Sequence, residues 1–405
     1  MEGCTEGGFC GAVVIPALAE SATLFATLSS LASNPPEMCK RFLILVVVNQ
    51  RDDAPVADKS DNLVTLKLLT AGDPQLSRLK LAWIDAVSPG LEMPSKGGGV
   101  GLARRIGLDL ALSRLGGLHG DPILVCLDAD TLVRPDYLSA LVSHFEQSVC
   151  GAAVIPFCHQ RGASPESNRI ITRYELFLRS YVLGLSLAGS PYAFHSVGSA
   201  MACRASAYIK IGGMNSRSAG EDFYFLQQLA RTVGVERLTG TVVHPSSRAS
   251  HRVPFGTGRS VSRMEAGGER EQLFYHPACF HVLGAWLTLV ADHPDADGRS
   301  LRIQAGDMSP CLGEYLDLIR FEDIRAKLSR NNPGRAALLK AFHGWFDGLK
   351  TMKLIHHLSA GPFQRCEPEG ALADLFKWGG LVTVSGIEHR LEALRYLQNG
   401  EKIGN

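Results

Sequence analysis

Leu124-Val125-Cys126-Leu127-Asp128-Ala129-Asp130 decides how this chain reads. A short apolar run ends in two carboxylates one residue apart. Charges have no use on the axis of a buried strand, so Asp128 and Asp130 belong at its C-terminal end. Side chains two apart there point to the same side. Two carboxylates on one rim are hard oxygen ligands for Mg²⁺ or Mn²⁺, and such a cation can neutralise a diphosphate. Asp-x-Asp alone is also an ordinary way to end a strand and cap the next helix. Its neighbours must decide.

Working outward, short apolar runs alternate with helical patterns. Residues 12–16 form a strand stopped by Pro16, followed by a helical pattern over 21–31. Residues 42–48 are a near-continuous apolar strand, as parallel strands covered on both faces tend to be. Weaker strand patterns cover 62–69 and 79–84, a helix covers 101–115, and 123–127 is the strand that carries the two aspartates. A helix over 136–145 and a strand over 152–157 follow. Such alternation implies an α/β domain with a mostly parallel sheet, whose ligands collect beyond the carboxyl ends of the strands. Further on come a helical stretch over 169–187, strands over 196–204 and 242–244, and an amphipathic helix over 223–231. Residues 246–262, dense in Ser, Arg, Gly and His, read as a functional loop. Beyond about Glu269 the patterns are helical.

Composition narrows the function classes. Lys and Arg total 41 against 40 acidic residues in 405, so no global basic field points to nucleic acid. The ten cysteines show no CxxC pair, as expected of reduced thiols in the cytosol. No secretory signal opens the chain. The stretch 277–291 contains His281 and falls short of the ~20 residues of a membrane span. These features predict a cytoplasmic protein without a membrane span, peripheral association remaining open.

Four motifs in one order carry a resemblance: Val13-Val14-Ile15-Pro16-Ala17-Leu18-Ala19-Glu20, then Ala103-Arg104-Arg105-Ile106-Gly107, then Leu127-Asp128-Ala129-Asp130 with Pro135-Asp136-Tyr137-Leu138 behind it, then Gly212-Gly213-Met214 with Gly220-Glu221-Asp222. In this order they resemble a family 2 glycosyltransferase with the GT-A nucleotide-sugar fold. The resemblance implies a transferase domain over 1–268 and a helical C-terminal extension over 269–405. It implies a nucleotide-diphosphate sugar donor, an acceptor hydroxyl, and Mn²⁺ or Mg²⁺ held by Asp130 with Asp128. Pro16, Ala17, Glu20, Asn49, Gly101, Arg104, Asp128 and Arg252 are the implied donor-binding residues.

The chemistry supplies reasons for several of these positions. An inverting transfer needs a carboxylate that takes the acceptor proton. Asp222 is the candidate and adjacent Glu221 the alternative, and either carboxylate also suits a helix N-terminus. Asn49-Gln50 stands where the family has two aspartates; an amide there can still pair with a base edge. The run 96–101 departs from G-x-G-x-x-G at Arg104 and lacks the P-loop lysine. It reads as a glycine stretch into a helix start, where Gly101 amides and Arg104 or Arg105 face a diphosphate. His244 and His251 are candidate third metal ligands. Arg248, Arg252 and Arg259 would make the loop a phosphate-ordered lid. No Gln-x-x-Arg-Trp motif marks a processive synthase. A retaining transferase resembling mannosylglycerate synthase, and a nucleotide-sugar-binding protein without transfer activity, are the alternatives. A pyrophosphorylase would carry a Gly-rich loop after the first strand, where this chain has 16–20. Trp286, Trp345 and Phe346 either fill a helical core or line an acceptor site.

Overall fold

The computed structural model describes residues 1–116, 120–217, 220–248, 273–382 and 384–400. It divides into two compact units. One comprises Met1–Ile171, Ser196–Ala266 and Arg395–Asn405, the other Thr172–His195 and Gly267–Leu394.

The first unit is built on an eight-stranded sheet. In chain order its strands are β1 (Glu2–Gly3), β2 (Gly11–Ala17), β3 (Phe42–Asn49), β4 (Lys80–Ala86), β5 (Ile123–Cys126), β7 (Ala152–Val154), β8 (Met201–Arg204) and β9 (Val235–Arg237). A separate two-stranded ribbon joins β6 (Leu132–Val133) to β10 (Val243–His244). The spatial order is β1-β4-β3-β2-β5-β8-β7-β9. The centre, β4-β3-β2-β5, is parallel throughout, and β8 runs antiparallel to both β5 and β7. Every residue of β2 and β3 is buried, because helices cover both faces of these apolar runs. The helix Val100–Leu112 reaches the sheet at Gly107, where a Cβ would come within 2.3 Å of Val14 Cγ1. Only glycine permits that approach.

Chain direction places the ligand crevice. The chain adds β3 and β4 on one side of β2, then returns to add β5 on the other. In such sheets ligands bind beyond the carboxyl ends at this reversal. Val14 pairs with Cys126 across it, so the loop after β2 and the Asp128–Asp130 turn leave the sheet side by side.

Residues 62–69 are a correction. They lie inside the helix Val56–Ala71, not in a strand. The helix turns polar Asn62 and Thr65, with Leu69, into the protein and leaves Leu63, Val64 and Leu68 exposed. Reading every apolar side chain as inward gives the wrong period here. The strand patterns over 196–204 and 152–157 are also longer than β8 and β7.

The second unit is helical. Seven helices follow one another from Pro277–Asp292 through Gly298–Met308, Pro310–Leu318, Phe321–Asn331, Arg335–Trp345 and Gly348–Ala360 to Pro368–Trp378. Asp297, Ser309 and Asp347 cap three of them with side-chain oxygens. Trp286 sits at the centre, edge-on to Phe321 at 4.9 Å, with Phe342 and Phe346 stacked beside it. Trp286 and Phe346 therefore fill a core, and Trp345 packs partly buried against it. Among the described residues, no helix is long and apolar enough to cross a membrane. All ten cysteines are free thiols.

Candidate active site

The crevice side of the first unit collects five carboxylates and two guanidinium groups. Asp128 and Asp130 follow β5 in a tight turn closed by the Thr131 amide donating to the Asp128 carbonyl at 3.1 Å. Thr27 Oγ1 donates to the Ala129 carbonyl at 3.0 Å, and Gln160 Nε2 bridges the carbonyls of Asp130 and His244. The backbone of the turn is thus fixed from two sides.

Arg104 is buried and makes ion pairs with Asp128 and with Glu221. Burial works against its charge, but the two carboxylates outweigh that and hold the guanidinium protonated. Gly198 lies against this guanidinium, where any Cβ would collide with it. Arg104 is therefore a clamp between two carboxylates, not a group facing a diphosphate. Its neighbour Arg105 is exposed and paired with Asp109. Gly101 packs beneath the Asn215 and Arg217 carbonyls and the Glu221 side chain, so close packing accounts for its lack of a side chain.

Glu221 and Asp222 open the helix Glu221–Thr232, entered through Gly220 at φ +68°. That left-handed turn suits glycine. Glu221 is buried and committed to Arg104. Asp222 is half-buried and accepts a hydrogen bond from the Phe223 amide at 2.7 Å. Burial and the Glu221 charge push its carboxyl up to about 6, against the pull of Arg104. The adjacent carboxylates differ in consequence: one is bound in an ion pair, the other titrates near neutrality.

Asp130 forms a second cluster. Arg248 pairs with it at 2.9 Å and also with buried Glu20. Burial, Glu20 and Asp128 push the Asp130 carboxyl up to about 6, partly offset by Arg248. Glu20 follows Ala19, whose φ of +52° is unusual for a residue with a side chain. Asn62 holds that turn by accepting from the Ala19 amide at 2.8 Å.

Some positions serve other purposes than the sequence suggests. Asn49 is buried and gives its two amide hydrogens to the Ala17 and Val47 carbonyls, which leaves none for a base. Gln50 donates to the Val87 carbonyl. Pro16 and Ala17 end β2 with their side chains buried. His244 sits on β10 with Nδ1 3.0 Å from the Cys158 carbonyl. Among the described residues, the ligand atoms of Asp128, Asp130 and His244 do not gather into a group of three. His251, Arg252 and Arg259 lie outside the described residues. The sequence reading passed over Glu20–Arg248 and Arg104–Glu221 as pairs. Their partners are far apart in the chain, and no local pattern announces them.

The donor set fits a divalent cation. Five carboxylates against two arginines leave an acidic excess, and the side chains of Asp128 and Asp130 offer hard oxygens that remain partly accessible.

No curated protein matches the chain. Among solved structures, S. aureus TarS 1–349 in complex with UDP-GlcNAc is similar at 14% identity and a TM-score of 0.41, over 96% of this chain and 92% of that one. A longer S. aureus TarS chain gives 15% and 0.39 over 58% of this chain, which covers 36% of its length. The mannosyltransferase PcManGT from Pyrobaculum calidifontis, in complex with GDP-Man and Mn²⁺, gives 13% and 0.37 over 100% and 92%. The family model described as glycosyl transferase family group 2 matches residues 123–266. That stretch begins on the strand leading to Asp128 and runs past the helix that carries Asp222.

Proposed function

We propose that this chain is a family 2 glycosyltransferase that moves a sugar from a nucleotide-diphosphate donor to an acceptor hydroxyl with inversion, Asp222 acting as general base. The observation that carries the reading is the division of labour at 221–222. Glu221 neutralises Arg104, while Asp222 keeps a carboxyl near 6 at a partly open position. A base poised close to the working pH combines the correct ionised form with adequate proton affinity. Deprotonated Asp222 takes the acceptor hydroxyl proton as oxygen attacks the anomeric carbon and the diphosphate departs. Arg104 holds Asp128 and Glu221 in place through that step. Asp130, with Asp128, would hold Mn²⁺ or Mg²⁺, which when bound stabilises charge on the leaving diphosphate. Arg248 already supplies a positive charge at Asp130 and is the chain's own group for turning toward phosphate oxygens.

Three variants test the reading in a donor-consumption assay. Asp222→Asn keeps the side-chain volume but cannot take a proton, so turnover should drop by about two to four orders of magnitude with donor KM little changed. Asp130→Ala should remove the Mn²⁺-dependent part of both nucleotide binding and turnover. Near-full rate in Asp222→Asn beside a dead Glu221→Gln would assign the base to Glu221. Full activity of the wild type in excess EDTA would remove the metal from the reading.

A further inference from the structure

The helical unit contains a second grouping of metal-ligating side chains, unrelated to the crevice. Cys311 and Glu314 lie three residues apart on the helix Pro310–Leu318, a spacing that sets both on one face. His357 comes from the helix Gly348–Ala360. One ligand atom from each residue lies within 4.8 Å of the other two. Glu314 Oε2 is 3.9 Å from His357 Nε2.

A second observation points to a missing partner. His357 Nε2 is shielded from solvent and makes no hydrogen bond. A buried polar nitrogen in that state is costly unless something else occupies its lone pair or proton. Gly361 lies beside the Cys311 thiol. A Cβ on Gly361 would meet Cys311 Sγ at 3.3 Å, and glycine leaves that space open. The Glu314 side chain is 70% exposed, which gives an ion a way in.

We propose that Cys311, Glu314 and His357 bind a zinc ion that ties the two helices together. Sulfur, nitrogen and oxygen together select a borderline cation over Mg²⁺ or Ca²⁺. Tetrahedral zinc takes its sulfur at about 2.3 Å and its nitrogen at about 2.0 Å. Ligand atoms already within 4.8 Å need only a small inward shift. Three protein ligands leave the fourth position to water. Cys311 must give up its proton on binding, and that proton passes to solvent. Protons compete with the metal for that thiolate, so affinity falls as the pH is lowered.

Cobalt titration of the metal-stripped full-length chain tests the site, because a thiolate ligand produces a near-ultraviolet charge-transfer band that carboxylates cannot. Wild type should bind one Co²⁺ with that band, and Zn²⁺ should displace it. Cys311→Ser should abolish the band. Loss of even an outer-shell partner costs about 10–100-fold in affinity, so His357→Gln and Glu314→Gln should each weaken Zn²⁺ binding at least that much. Zn²⁺ should also raise the melting temperature of wild type but not of His357→Gln. No band in wild type, or a band that survives Cys311→Ser, overturns the proposal. So does unchanged Zn²⁺ affinity in His357→Gln or Glu314→Gln, a result that remains decisive if Cys311→Ser fails to fold.

Discussion

Asp222 shows how one side chain can be tuned by its neighbour. Its carboxyl is pushed up to about 6 by burial and by Glu221, so the folded protein holds this proton more tightly than the unfolded chain does. Protonation therefore contributes stability in full below the ordinary carboxylate value, and that contribution is lost as pH rises through about 6. Two consequences follow in opposite directions. Activity needs the ionised form, so kcat/KM should rise with pH up to about 6 and level off above it. Asp222→Asn carries no charge to desolvate, so at pH 7–8 it should be more stable than wild type, by up to about 3 kcal/mol at 1.36 kcal/mol per unit. The gain should vanish near pH 4. Melting curves of both proteins across pH 4–8 check the sign; parallel curves would show that this carboxyl is not perturbed by the fold. Asp128, Asp130, Glu221 and Asp222 were legible because each sits in a short motif. Their counter-ions were not. Arg104 read as a phosphate group and Arg248 as part of a lid, since nothing local reveals that each is bound between two carboxylates. Asn49 failed for a similar reason, its amide being spent on carbonyls of two strands.

At the scale of elements, strands were easier to place than polar helices. β2, β3 and β5 are apolar runs, β2 continuing through Pro16 to Ala17, and burial on both faces leaves no ambiguity about them. The helix Val56–Ala71 is the counterexample, because it turns polar residues inward. Asn62 explains why. It accepts from the Ala19 amide and donates to the Asn49 carbonyl and to Gln50 Oε1, joining the loop that carries Glu20 to the end of β3. Asn62→Leu fits a helix in isolation yet orphans these three groups. At about 1–3 kcal/mol for a buried orphaned group, with part of the loss relieved by movement, the variant should lose about 2–4 kcal/mol in urea unfolding. Donor KM should rise as well, because the turn at Ala19 loses its anchor. A variant as stable as wild type with unchanged KM would show that the helix needs no polar contact to seat it.

For the whole molecule, the change of pattern near Glu269 was legible as a change from strand alternation to helices, but the composition of the two compact units was not. Thr172–His195 groups with the helical unit and Arg395–Asn405 with the sheet unit, and no boundary signal marks either exchange. Each unit has its own interior, and Trp286 tests the helical one. Its ring is fully buried between Phe321, Phe342 and Phe346, while its indole nitrogen has no hydrogen-bond partner. Trp286→Phe therefore removes an unsatisfied donor along with some volume, and the two effects oppose each other; the net loss should stay below about 1.5 kcal/mol. Trp286→Ala leaves a cavity and should lose about 3–5 kcal/mol. Intrinsic fluorescence can follow the transition because Trp286, Trp345 and Trp378 lie in the helical unit and Trp83 alone in the other. Nucleotide binding provides a separate reading, since every donor-site side chain assigned above belongs to the sheet unit. Under native conditions both variants should bind donor as wild type does, with Trp286→Ala differing only in its lower urea midpoint. A ring that acts in acceptor recognition would give the opposite result: near-normal stability in Trp286→Ala, with a loss of transfer that appears in acceptor KM.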